Sequence, residues 1–89
     1  MSKNTFARVG CKWEYYEDLH LLDGIKDGRS IDELAIELAR TPKAIVFRRY
    51  NLAARYVNNG MDPIKACNEL KLDGETDMSN LLEMLSRFY

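Results

Sequence analysis

Ser30-Ile31-Asp32-Glu33-Leu34-Ala35-Ile36-Glu37-Leu38-Ala39-Arg40-Thr41-Pro42-Lys43-Ala44-Ile45 is the stretch on which the fold turns. Ser30, with Glu33 three residues on, has capping-box spacing: hydroxyl and carboxylate each satisfy an N–H that the first turn of a helix leaves free. Ile31, Leu34, Ala35 and Leu38 then recur at the spacing of one helix face. That helix is short, because Arg40-Thr41-Pro42 reads as a turn, a Thr N-cap and a proline at the first helical position, where its missing N–H costs nothing. Two helices joined so tightly form a helix-turn-helix.

Upstream, Trp13, Tyr16, Leu19, Leu22 and Ile25, with Leu21 beside them, mark a helix face between Trp13 and Asp27, and Gly28 supplies its left-handed stop. Downstream, the helix from Pro42 meets no breaker before Asn58-Asn59-Gly60; Ala44, Ile45, Leu52, Ala53, Tyr56 and Val57 are its candidate core. Asp62-Pro63 opens a fourth helix with Ile64, Ala66, Cys67 and Leu70 apolar. After a loop from Lys71 to Thr76, Asp77 is the expected cap of a last helix carrying Met78, Leu81, Leu82, Leu85 and Phe88. The expectation is an all-α fold of about five helices. A flexible basic arm (1–12) precedes a helix-turn-helix triplet (13–58), and a helical pair (59–89) packs on the third helix and completes one compact domain.

Gly28 through Leu38 also aligns with Gly60 through Leu70 at an offset of 32 residues, placing Cys67 on Ala35, Glu69 on Glu37 and Leu70 on Leu38. Either the third helix closes one triplet and opens a second, or two amphipathic helices resemble each other by chance.

An 89-residue chain has room for one modest core and little for a catalytic cleft with its scaffold. No stretch reaches the roughly 18 apolar residues of a membrane span, and the first ten residues lack the apolar run of a secretory signal, so an intracellular protein is expected. Cys11 and Cys67 then read as reduced thiols, with Cys67 buried. His20 has no acid or nucleophile at suggestive spacing, and Cys11, His20 and Cys67 lack paired metal-ligand spacing. No Gly-rich phosphate loop is present. These features argue against an enzyme, a metal site or a cofactor.

Net charge is −1, yet its distribution is uneven. Residues 1–12 (Lys3, Arg8, Lys12) and 38–61 (Arg40, Lys43, Arg48, Arg49, Arg55) contain no acid and carry +8 between them, while the remainder holds five basic and fourteen acidic groups. Such a dipole lets one face dock on a phosphate backbone while the rest stays soluble.

Trp13-Glu14-Tyr15-Tyr16-Glu17-Asp18 resembles the opening of Myb and SANT domains, and Ala39-Arg40-Thr41-Pro42-Lys43-Ala44-Ile45, ahead of Arg48, resembles their second half. With Arg49-Tyr50-Asn51-Leu52-Ala53 and the Gly60-containing repeat, nearly the whole chain is similar to short helix-turn-helix proteins of giant DNA viruses. The resemblance implies a double-stranded DNA partner and a place in a viral factory, an infected nucleus or a virion. It puts the third helix in the major groove, with Thr41, Lys43, Val46, Phe47 and Tyr50 presented and Arg40 beside them. Thr41, Arg40 and Lys43 suit a phosphate at the helix N-terminus. Of Arg48 and Arg49, about 100° apart, one would meet phosphate and the other Glu33, Glu37 or Glu17. Lys3, Arg8 and Lys12 would track a neighbouring groove, or form a solvated tail.

The family's base-reading positions are polar, whereas Val46, Phe47 and Tyr50 stand there in this chain, which favours nonspecific or shape-directed binding. Whether Phe47 faces DNA, the second helical pair or a partner protein is open at this level, and a SANT-type protein adaptor is the competing reading. Trp13 is expected in the core. The apolar end Met84, Leu85, Phe88 and Tyr89 is a surface on which a second copy could pair.

Overall fold

The computed structural model describes residues 10–72, 74 and 76–88. These form five helices, α1 (Tyr15–Lys26), α2 (Ile31–Leu38), α3 (Pro42–Asn58), α4 (Pro63–Glu69) and α5 (Asp77–Phe88), with no strand among the described residues, so the expected all-α class holds. The chain divides into two compact units between Val46 and Phe47, inside α3.

In the first unit α1 packs on α2. The Ser30 hydroxyl accepts from the Glu33 N–H at 3.0 Å and the Glu33 carboxylate accepts from the Ser30 N–H at 2.9 Å, so the capping box forms as its spacing demands. Leu34, Ala35 and Leu38 are buried, with Ile31 half-buried at the margin. Ala39 then turns left-handed at φ 55°, the Arg40 N–H reaches back to the Ala35 carbonyl at 3.0 Å, and Thr41 Oγ1 accepts from the Ala44 N–H at 3.1 Å to start α3.

The buried face of α1 differs from the expected one. Glu17, Leu21, Gly24 and Ile25 line it, while Tyr16 (62% exposed) and Leu19 (43%) lie round the back. A carboxylate and a glycine hold two of the four core positions, which hides the true stripe from any count of apolar residues. Gly24 is there for closeness, since a Cβ at that position would stand 2.4 Å from Leu34 Cδ2. Trp13, expected in the core, is half-buried.

In the second unit α4 packs on α5. The Asp62 carboxylate accepts from the Ile64 N–H at 2.7 Å, ahead of Pro63. Ala66, Cys67 and Leu70 are buried as expected; Ile64 is 64% exposed, because it falls well off the line those three define round the helix. Leu52, Ala53 and Ala54 bury α3 in this unit, with Tyr56 and Val57 half-buried. Asp77 does not stand outside α5 as its cap. It is the first helical residue, and its carboxylate accepts from the Gly74 N–H at 2.8 Å and from the Tyr50 hydroxyl. Along α5 Leu81 is buried, Met78, Met84 and Leu85 are half-buried and Leu82 is exposed; the Phe88 side chain and Tyr89 lie outside what the structure describes. Both cysteines are free thiols, Cys11 exposed and Cys67 buried.

At the 32-residue offset the backbone geometry also coincides, from Gly24 to Arg40 and from Tyr56 to Leu72. Gly28 and Gly60 both take positive φ, and their N–H groups donate to the Ile25 and Val57 carbonyls at 3.1 and 3.0 Å. Arg29 N–H to Gly24 O and Met61 N–H to Tyr56 O are both 2.9 Å. Ala39 and Lys71, the two left-handed non-glycine residues among those described, stand at φ 55° and 53°. Each is followed by a matching closure, Arg40 N–H to Ala35 O and Leu72 N–H to Cys67 O. The frame ends there: Thr41 O accepts from the Ile45 N–H and Thr76 O from the Asn80 N–H, so the second turn is three residues longer than the first.

Candidate nucleic-acid interface

Every residue of α3 is apolar, polar or basic; Lys43, Arg48, Arg49 and Arg55 lie on it without a single acid. Its first turn carries Thr41 as cap, exposed Pro42 and exposed Lys43. Lys43, Phe47, Tyr50 and Ala54 follow one another along a single face of the helix, and Phe47 is 58% exposed. Beyond Phe47 that face closes, because the Tyr50 hydroxyl donates to Asp77 and accepts from Asn80 Nδ2 at 3.2 Å, and Ala54 is fully buried. Burial, then the hydrogen bond to Asp77, push the Tyr50 phenol above its usual range. Of the expected presented residues, Lys43 and Phe47 are exposed, Thr41 and Val46 are half-buried, and Tyr50 is held within the second unit.

Arg40 is the main correction. Instead of flanking this face it is 2% exposed. Its Nε and Nη2 donate to the two Glu17 carboxylate oxygens at 2.9 and 3.1 Å, Nη1 and Nη2 donate to the carbonyls of Cys11 and Lys12 at 3.0 and 3.2 Å, and the guanidinium stacks on Trp13 at 4.2 Å. Glu17 accepts from the Glu14 N–H as well, at 3.0 Å, so both buried charges are answered by donors and acceptors in forked geometry. The arrangement is legible in retrospect, because a carboxylate at i−4 from Leu21 on a core-facing stripe requires a cation, and Arg40 sits in the turn that the same stripe packs against. Arg40 is therefore a structural clasp that ties the backbone entering α1 to the turn entering α3.

Arg49, one of the two adjacent arginines of α3, is turned to the end of α4. Its guanidinium donates to the Leu70 carbonyl at 3.1 and 2.7 Å and to the Lys71 carbonyl at 2.7 Å, closing the end of α4 onto α3. Arg48 is half-buried. Of the basic arm, Lys12 is exposed, while Lys3 and Arg8 lie outside the described residues.

A second cluster escaped the sequence reading. His20 Nε2 lies 2.6 Å from Glu37 Oε1, and Arg29 donates to the other Glu37 oxygen and, at 3.4 Å, to Asp27. His20, and after it Arg29, hold the Glu37 carboxyl below the ordinary carboxylate range. His20, Asp23, Gly24, Asp27 and Arg29 line an open cleft of about 420 Å³, but its strongest donors are already spent on Glu37. Among the described residues no three His, Cys, Asp or Glu side chains converge as a metal site. No helix is long and apolar enough to cross a membrane.

Compared with protein-family models, with curated proteins and with solved structures, the chain matches none.

Proposed function

We propose that this chain binds double-stranded DNA as a Myb-like helix-turn-helix, with the first two turns of α3 as the contacting surface. The observation that carries the reading is the acid-free α3, which follows a tight capped turn and sets Lys43 in solvent one turn before Phe47. The Thr41-capped N-terminus offers a positive dipole end to a phosphate, and Lys43 adds a full charge there. With Arg40 withdrawn into the core and Tyr50 held by Asp77, few hydrogen-bonding side chains remain to read base edges, so weakly specific, architectural or regulatory binding fits best. A giant-virus origin, with a place in the viral factory, host nucleus or virion, is part of this proposal and rests on the resemblance alone.

Fluorescence anisotropy against several unrelated duplexes at two salt concentrations tests it. Affinity should fall steeply with salt and be lost or much reduced in Lys43→Glu. Absence of binding at low salt would rule the reading out. Phe47, an exposed apolar group on α3, supports the second reading, a protein adaptor, which would show as partner capture that survives high salt.

A further inference from the structure

Phe47 leaves more than half of its surface in water on the acid-free helix, one turn from the exposed cation Lys43 and next to half-buried Val46. A phenyl ring and an isopropyl group can neither donate nor accept, so neither can read the hydrogen-bonding pattern of a base edge. One apolar group is displayed on those edges in the major groove, the C5-methyl of thymine, and 5-methylcytosine displays the same group. Of the polar side chains that follow along α3, Arg49 is committed to the Leu70 and Lys71 carbonyls and Tyr50 to Asp77. We infer that α3 senses pyrimidine C5-methyl groups through Phe47, with Val46 at its side, while Lys43 holds the phosphate backbone. The inference rests on the DNA reading of α3 and names what that surface recognises.

Uracil differs from thymine only by this methyl, so the test needs no protein variant to begin with. Binding to a thymine-containing duplex is compared with binding to the same duplex carrying deoxyuridine throughout. Loss of affinity by about fourfold for each methyl in contact is expected, the factor that burying one such group supplies. Phe47→Ala, a change at an exposed position, should bind the two duplexes equally, and Lys43→Glu should weaken both. A deoxyuridine duplex bearing 5-methylcytosine then identifies the source: regained affinity assigns the contact to any pyrimidine methyl, and none assigns it to thymine alone. Equal binding of thymine and uracil duplexes by the unaltered protein, with Lys43→Glu still weakening both, would overturn methyl sensing and leave DNA binding standing. No binding to any duplex would overturn both.

Discussion

The turn from α2 into α3 and the turn from α4 into α5 close with the same backbone geometry but solve the same burial problem with opposite chemistry. In the first, α1 supplies a carboxylate, Glu17, and the turn supplies the cation, Arg40. At an offset of 32 residues Glu17 becomes Arg49 and Arg40 becomes Leu72, which is 4% exposed. Here α3 supplies the cation, and bare carbonyls at Leu70 and Lys71 receive it. What the two turns share is the left-handed residue and the closing N–H bond; what they differ in is which side chain answers the buried polar groups. Backbone closure is thus the conserved part of the repeat within this chain, and side-chain polarity is free to invert around it.

The comparison breaks hardest at Arg40. Arg40→Ala or Glu17→Ala strands a charge in the core and should lower unfolding free energy by about 3–5 kcal/mol, as removal of one partner from a buried pair does. Arg49→Ala, whose loss leaves a part-buried carbonyl at Leu70 and an exposed one at Lys71, should cost about 1.5–3 kcal/mol. Urea unfolding of the three variants checks the ranking, and equal losses at Arg40 and Arg49 would show that the two clasps are equivalent after all. Gly24→Ala, which drives a methyl against buried Leu34, should destabilise by about 1–2 kcal/mol even though alanine is the better helix former.

Relief of backbone strain sharpens the other half of the comparison. Ala39→Gly and Lys71→Gly each replace a residue in left-handed conformation and should stabilise by about 1 kcal/mol, by the same amount in both turns if the closures are the same. Calorimetric melting of the pair measures this. The smallest effect concerns acid. Because the folded Glu37 carboxyl titrates lower than its unfolded counterpart, its contribution is complete above the unfolded carboxylate range and fades as pH falls through the folded value. Melting temperatures of the unaltered protein and Glu37→Gln should therefore converge as the solution is acidified; divergence toward low pH would contradict the linkage.

These differences also explain what could be read in advance. Ser30, Thr41, Pro42, Asp62 and Pro63 act within a turn of their own position, so the starts of α2, α3 and α4 were visible in residue order alone. The face of α1 was not, because Glu17 and Gly24 occupy core positions for reasons that lie in α2 and the following turn. Arg40 looked like a surface cation for the same reason: its acceptors are 23 to 29 residues away. Lys43 is exposed as a presented residue must be, since the first turn of α3 follows directly from a local cap; Phe47, which residue order left open, is exposed too, whereas Tyr50 is drawn off that face by a partner, Asp77, 27 residues distant.

Charge, too, separates the two turns: α3 has no acid, whereas α5 begins at Asp77 and carries Glu83. Only the first should meet DNA. The most direct test is the duplex affinity of two matched charge reversals, Lys43→Glu at the first turn and Lys71→Glu at the second, measured by anisotropy across a salt series. The expected result is that Lys43→Glu weakens binding severalfold or more and lowers the salt slope by about 1, while Lys71→Glu keeps both within error. Equal losses from the two reversals, or none from either, would contradict the assignment of DNA binding to the N-terminal turns of α3.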